Sequence, residues 1–443
     1  MTGAGDTGLQ YHRAGLRTWL ITRFPPGDTA ELPDDVTAVA IAAGSRHLEP
    51  EAAAERSAAA ARWLADAGCQ EFYLKIDSTL RGNVGAGIRG LLAELGLDLA
   101  VVAPAFPEHG RTTIGGFQLV AGTPVALTEY GADPIAPASE SHVPTVAATS
   151  GLPVTSIDLR TVLAGWEAVA GAIARAKAAG MRVVVVDAAR TADLEQIARA
   201  VWRLGYRVLP VGSAGLAAAL MAVRPKKATP MQLDRPGRRE FGPPAGRVLG
   251  RTPPILIVSG SPNPTTLEQI QHLGATARLV LVDVRHLLLL DQPGGAAGWE
   301  LHSELAMAAR QALQGLIAGR DVIVTTAISP EQVEKDRELG RTLGITGSQV
   351  GRSLSRGLGA LARHLHEQAA LGGVVAAGGE TAAAICEALP GERLEIVAEV
   401  VPAVPLSRVV GRNLRLVTKS GGFGSPDTLR VIVEYLRQTE EVA

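Results

Sequence analysis

The nonapeptide Lys75-Ile76-Asp77-Ser78-Thr79-Leu80-Arg81-Gly82-Asn83 gathers two fixed cations, one carboxylate, two hydroxyls and an amide. Lys75 and Arg81 could hold the carboxylate of a small acid, and Asp77 could meet a hydroxyl. Ser78, Thr79 and Asn83 could bond the remaining polar groups. The bland alternative is a solvated loop with an internal Asp–Arg pair. Further along, Pro104-Ala105-Phe106-Pro107-Glu108-His109-Gly110-Arg111-Thr112-Thr113 adds another arginine and a histidine. A lone loop histidine such as His109 is more often a bystander than a base.

A second kind of chemistry resides in three glycine-rich segments: Ser259-Gly260-Ser261, Gly378-Gly379-Glu380-Thr381, and Lys419-Ser420-Gly421-Gly422-Phe423-Gly424. Glycine removes the Cβ that would keep a phosphate off the backbone, and successive N–H groups can then cradle its oxygens. Lys419 would supply a mobile charge, and the Ser and Thr hydroxyls further donors. The chain has no Walker A sequence and no G-x-G-x-x-G fingerprint after a strand. Ordinary P-loop and dinucleotide-fold binding are therefore not indicated, and a two-domain oxidoreductase is disfavoured.

Strand ends feeding helix starts are where open α/β sheets collect ligands. In the first half, Leu16–Thr22, Val36–Ala42, Glu71–Leu74, Leu99–Ala103, residues 182–186 and residues 207–209 read as strands. Helices are expected over Pro50–Ala67, residues 83–95, Thr161–Ala179 and Ala192–Leu204, with a short one after Ser213. If the sheet is parallel, Lys75–Asn83 and Ala103–Thr113 open on the same edge, with Gly3-Ala4-Gly5-Asp6-Thr7-Gly8 beside them. That arrangement places Asp6, Lys75, Asp77, Arg81, Asn83 and Arg111 around one crevice. From residue 222 to 253 the alternation stops in a Pro-, Gly- and Arg/Lys-rich run that reads as a linker. Beyond it the pattern resumes, and each glycine-rich segment of that half follows an apolar strand.

The expected fold class is thus α/β: two α/β domains with mainly parallel sheets covered by helices, spanning residues 1–221 and 254–443. A chain of 443 residues is too long for one ordinary core. Its net charge of −1 argues against a nucleic-acid binder relying on a broad basic surface. Two distant cysteines, Cys69 and Cys386, offer neither a disulfide framework nor a zinc cluster and fit a reducing cytoplasm. No signal peptide and no transmembrane run is visible, so no membrane partner is expected; a homo-oligomer is compatible with everything above.

The ordered series of motifs resembles the four-carbon acid sugar kinase family over nearly the whole chain. The residues that carry the likeness are Gly3–Gly8, Lys75–Asn83, Pro104–Glu108 with Gly110–Thr113, Val211-Gly212-Ser213-Ala214-Gly215-Leu216, Ser259–Ser261, Gly378–Thr381 and Thr418–Gly424. The resemblance implies an N-terminal domain for a sugar acid and a C-terminal domain for ATP, with Mg²⁺ expected alongside it. Known members phosphorylate a terminal hydroxyl of threonate, erythronate or 3-oxo-tetronate. By motif, Ser261, Gly378, Gly379, Glu380, Thr381 and Gly421 resemble ATP-contacting positions, joined here by Lys419 and Gly422 from the same glycine-rich run. Asp6, Lys75, Asp77, Arg81 and Asn83 resemble the acid site, with Arg46 from the Ser45-Arg46 turn and Arg111 added to it; Asp77 is the expected catalytic carboxylate. No metal ligand set can be named.

The chain also departs from the family pattern. Members usually carry a strand and two acidic residues ahead of the positions of Thr2-Gly3-Ala4, and these do not precede Thr2 here. Gly87 stands where a Glu is common. A nucleotide- or acid-binding protein of the same fold that no longer catalyses is therefore the competing expectation.

Overall fold

The computed structural model describes residues 1–26, 32–131, 137–205, 207–225, 253–290, 303–389 and 393–439. The chain divides into two compact units, Gly3–Pro225 and Lys226–Ala443, the latter joined by Met1–Thr2. The expected linker at 222–253 lies largely outside the described residues, since 226–252 are not among them.

In the first unit the strands are β1 (Thr18–Ile21), β2 (Ala38–Ile41), β3 (Leu74–Lys75), β4 (Leu99–Ala103), β5 (Arg111–Ile114), β6 (Phe117–Val120), β7 (Thr123–Pro124), β8 (Val154–Ile157), β9 (Val183–Val186) and β10 (Val208–Gly212). A five-stranded sheet runs β3-β10-β4-β9-β8 with every pairing parallel. Both faces of β4 and β9 are buried, as near-continuous Val runs require. Leu99, Val101 and Ala103 join one apolar cluster with the helices Trp166–Ala178, Thr191–Leu204 and Ala214–Ala222. Ala100 and Val102 join the other with the helices Val84–Glu94 and Val143–Ala148. β1 and β2 pair parallel, while β5, β6 and β7 form a separate antiparallel sheet that the alternation does not announce. The single helix expected over Thr161–Ala179 is two, Leu159–Leu163 and Trp166–Ala178. Gly165 divides them with φ 105°, a value an L side chain resists.

The second unit contains β11 (Ile255–Ser259), β12 (Arg278–Leu281), β13 (Val322–Thr325), β14 (Gly373–Ala377), β15 (Arg393–Val401), β16 (Val404–Val409) and β17 (Arg415–Lys419), in spatial order β12-β13-β11-β14-β17-β16-β15. Pairings from β12 to β17 are parallel, and the last two are antiparallel. Helices Pro264–Gly274 and Thr428–Gln438 bury Ile270, Leu273, Leu429, Ile432 and Leu436 against Ile255, Ile257, Val375 and Val417. Fully burying each such side chain contributes roughly 1.5–3 kcal/mol. Among the described residues no helix is long and apolar enough to cross a membrane.

Glycine permits a close helix pairing in the first unit. A Cβ at Gly90 would sit 2.4 Å from the carbonyl oxygen of Ala54 in the helix Pro50–Asp66. Gly90→Ala should therefore lower the unfolding free energy by about 1–3 kcal/mol. Gly171→Ala, where the new methyl meets only the end of the Arg175 side chain at 3.3 Å, should be neutral or stabilising. Denaturant unfolding of both variants tests the close approach; equal midpoints would show that the helices separate freely.

Candidate functional site

Strand register sets the first site. Gly212 of β10 pairs with Lys75 of β3 on one side and Ala103 of β4 on the other, so the loops after β3 and β4 leave one sheet edge together. Gly212 cannot carry a side chain, because its Cβ would lie 2.6 Å from the Ala103 oxygen. Ser213 fastens the second loop by donating to the Ala105 carbonyl at 2.6 Å, and the Tyr73 hydroxyl donates to the Ser213 carbonyl at 2.5 Å. The Val211–Leu216 motif is thus the bolt between the two loops.

After β3 the chain turns sharply. Leu80 N–H donates to the Asp77 carbonyl at 2.9 Å, and Leu80 and Gly82 take φ of 59° and 93°. The turn brings Arg81 back onto Asp77: Nε and Nη2 donate to Oδ2 at 2.9 and 2.8 Å. Arg46 Nη2 reaches the same oxygen at 3.2 Å, while Thr79 donates its N–H at 3.0 Å and its hydroxyl at 2.9 Å to Oδ1. Asn83 clips the Arg46 turn in place, donating to the carbonyls of Ser45 at 2.9 Å and Leu48 at 2.8 Å. Burial alone would raise the Asp77 pKa; Arg81, Arg46, Lys75 and the Thr79 N–H outweigh it and hold the carboxyl well below the usual carboxylate range. Asp77, the expected catalytic carboxylate, is thus already hydrogen-bonded through both oxygens. So acidic a group accepts a proton poorly.

Lys75 is half-buried, and desolvation lowers its pKa, while the charges of Asp6 and Asp77 act to raise it. Its ammonium donates to the Ile76 carbonyl at 3.0 Å and lies 3.1 Å from where a Gly3 Cβ would be. Asp6 comes from the helix Thr2–Arg13, so the glycine motif and the nonapeptide do meet. Arg111 is buried: it donates to the His109 carbonyl and, at 3.0 Å, to the Tyr130 hydroxyl. It braces the site rather than opening on it. His109 packs edge-on against Phe106, with ring centroids 4.3 Å apart.

Two side chains of this site escape a reading of the sequence. The Tyr130 ring lies under the Arg81 guanidinium at 5.1 Å and within 5.9 Å of that of Arg111, within cation–π range of both. Gln118 holds the nonapeptide by donating to the Ser78 carbonyl at 2.7 Å and accepts from Thr113 at 2.6 Å. No sequence signal marks Gln118. Phe117 is 46% exposed while Gln118 beside it is fully buried, an inversion of the usual strand pattern.

In the second unit β11, β14 and β17 are neighbours and parallel, so the three glycine-rich segments emerge from one edge. Gly260 N–H donates to Thr381 Oγ1 at 3.1 Å, and Gly378 N–H to the Lys419 carbonyl at 2.8 Å. A Cβ on Gly421 would come within 2.7 Å of Ser261 Oγ, and one on Gly378 within 3.2 Å of the Ser261 Cβ. Ser261, Gly378, Thr381 and Gly421 are therefore brought together. Gly379 and Glu380 form the first turn of the helix Gly379–Ala388, and a helix N-terminus favours an anion. Gly422 continues the loop after Gly421.

Lys419 departs from expectation. It is 0% exposed, and its ammonium turns inward to the carbonyls of Ser420 at 2.8 Å and Gly421 at 3.3 Å. It is no mobile charge. Burial is the one cause that lowers its pKa, to about 7. Among the described residues no group of three or more His, Cys, Asp or Glu could hold a metal ion.

An α/β chain with a cationic cluster about Asp77 in one unit and three glycine-rich strand ends gathered in the other has the build of a two-domain phosphotransferase. Residues 1–220 match the model of a sugar-binding N-terminal domain, and residues 256–429 that of a nucleotide-binding C-terminal domain. The chain is 31% identical to a D-threonate kinase of Salmonella typhimurium, over 99% of this chain and 96% of that one. It is 32% identical to a D-erythronate kinase of Heliobacterium modesticaldum, over 98% and 95%. A 3-oxo-tetronate kinase of Methylobacterium radiotolerans is 31% identical over 96% and 95%. A Haemophilus influenzae protein of solved structure superposes with a TM-score of 0.68 at 25% identity, over 98% of this chain and 97% of that one. The chain belongs to the four-carbon acid sugar kinase family.

The buried ammonium makes stability depend on pH. The unfolded chain protonates Lys419 up to about pH 10.5 and the folded one only to about 7. Between those values the unfolded state holds more protons, so this residue's contribution rises with pH; its full penalty applies below about 7. The unfolding free energy of the protein, compared with that of Lys419→Met, should accordingly improve as pH rises from 7 to 10. A difference that does not change with pH would show that the ammonium keeps its ordinary pKa.

Proposed function

We propose that this chain transfers the γ-phosphoryl group of ATP to a terminal hydroxyl of a four-carbon sugar acid of the threonate, erythronate or 3-oxo-tetronate type. The observation that carries the reading is the gathering of Arg46, Lys75 and Arg81 about Asp77. Three cations face two carboxylates, Asp6 and Asp77, which leaves a surplus positive charge suited to a small carboxylate. The names of the relatives support the substrate class, and the matched nucleotide-binding domain supports ATP.

In this reading Arg46 and Lys75 take the acid's carboxylate, and Asp77 acts by orienting Arg46 and Arg81 rather than by accepting the hydroxyl's proton. Phosphoryl transfer asks the protein mainly for positioning and charge neutralisation, so a dedicated strong base is not required. Ser261, the helix start at Gly378–Thr381 and the Gly421–Gly422 loop hold the phosphates of ATP. A Mg²⁺ accompanying ATP would be held largely by phosphate oxygens, with Glu380 the carboxylate in the cradle, and would neutralise charge on the phosphates. Asn83 and Arg111 stand behind the site as braces.

Incubation of the protein with ATP, Mg²⁺ and each of the three acids, followed by ADP release, tests the activity. Phosphorylation of at least one is expected; ADP release with none of them sinks the reading and favours a protein that only binds. Asp77→Asn should raise the KM for the acid about tenfold or more, as both guanidiniums lose a charged anchor, with the KM for ATP nearly unchanged. A fall in kcat alone would instead make Asp77 a base. Tyr130→Leu should also raise the acid KM, about two- to fivefold, and Tyr130→Phe, which keeps the ring, should recover most of it. Equal KM values in the two variants would remove the ring from the argument.

A further inference from the structure

We infer that Lys419 and Thr266 are positioning residues of the nucleotide site, fixing from inside the protein the carbonyls of Ser420 and Gly421 and so presenting the amides of Gly421 and Gly422 to a phosphate. The inference rests on the nucleotide reading above and assigns it two residues that work from behind the loop.

The argument is one of peptide planes. Among the described residues every peptide is trans except Phe24–Pro25, and in a trans peptide the C=O and the following N–H point opposite ways. The Ser420 carbonyl accepts from Lys419 Nζ, itself fully buried, at 2.8 Å and from the Phe423 N–H at 3.3 Å. The Gly421 N–H must therefore point away from Lys419. The Gly421 carbonyl is drawn inward in turn, accepting from Thr266 Oγ1 at 2.7 Å and from Lys419 Nζ at 3.3 Å. That turns the Gly422 N–H outward as well. Neither amide meets an acceptor among the described residues. Two adjacent outward amides on glycine, beside Ser261, form an anion cradle. Gln269 holds the next part of the loop, donating to the carbonyls of Phe423 at 3.1 Å and Ser425 at 2.8 Å.

Lys419 suits the task because an ammonium has three donors and no acceptor. Beneath the loop it can satisfy two carbonyls at once while its charge adds to the attraction for a phosphate above. Thr266, on the helix Pro264–Gly274, is itself fully buried and anchors the same carbonyl from another element. No phosphate needs to touch either side chain.

Calorimetric titration of the intact protein with ATP, at a pH near 6.5, tests this without reference to catalysis. Lys419→Met should weaken ATP about tenfold or more, the loss expected for charge-assisted hydrogen bonds, and Thr266→Val about three- to fivefold. Affinity for the sugar acid should not change, and the nucleotide-free unfolding midpoint should not fall in step with ATP affinity. Should Lys419→Met fail to fold, Thr266→Val and Gln269→Leu decide the matter. Unaltered ATP affinity in the folded variants, or losses that only track unfolding or extend equally to the acid, would overturn the inference while leaving the kinase reading standing. If the unaltered protein binds no ATP, the nucleotide reading falls and takes the inference with it. ATP binding without phosphoryl transfer would overturn the kinase reading alone.

Discussion

Arg46, Lys75 and Arg81 repel one another, and in the first unit Asp77 is what holds them together. One of its oxygens takes Arg81 and Arg46, and the other takes the N–H and hydroxyl of Thr79. The carboxylate is thereby oriented by its own turn before it orients anything else. The left-handed backbone at Leu80 and Gly82 follows from the same need, since a turn that returns Arg81 onto Asp77 must reverse within four residues. Gly82 also lets Arg46 approach, its missing Cβ leaving room 3.1 Å from Arg46 Cγ. The geometry that makes Asp77 a good organiser makes it a poor proton acceptor.

The second unit solves the converse problem. A phosphate can be met by backbone amides, but a loop that turns its amides outward must turn its carbonyls in. Carbonyls facing a low-dielectric interior are expensive unless bonded. A buried cation with no carboxylate partner is equally expensive. Bringing the two together satisfies both, and the 2.8 Å contact from Lys419 to the Ser420 carbonyl is that exchange. The remaining desolvation penalty shows as the lowered pKa.

The architecture was legible in the sequence because it rests on alternation. Runs such as Val183–Val186 and Ile255–Ser259 have the length and branching of buried parallel strands, and both are. The common edge for the nonapeptide and the Ala103–Thr113 segment followed from parallel pairing alone. What the sequence withheld is the direction of side chains. Lys419 reads the same whether its ammonium leaves the loop or folds beneath it, and only the positions of the Ser420 and Gly421 carbonyls decide. Tyr130 was invisible because it reaches Arg81 and Arg111 from a distant loop with no pattern of its own. The break at Gly165 depends on a φ that residue type permits but does not demand.

Both sites share a tolerance that comes from where their tightest tolerances lie. The spacing of the two loops in the first unit is set by backbone against backbone at Gly212, and that of the glycine turns by Gly378 and Gly421 against Ser261. At Gly212 the opposing atom is backbone, so a Cβ there would displace the strand end, whereas at Gly378 and Gly421 it would press on the Ser261 side chain. The residues that differ in length and charge, Arg46, Lys75 and Asp6, instead meet the pocket from separate elements around that fixed frame. A chain can therefore keep its frame while the side chains gathered around it change. That is why the family is legible from motifs, whereas the way Arg46, Lys75 and Asp6 gather about Asp77 is not.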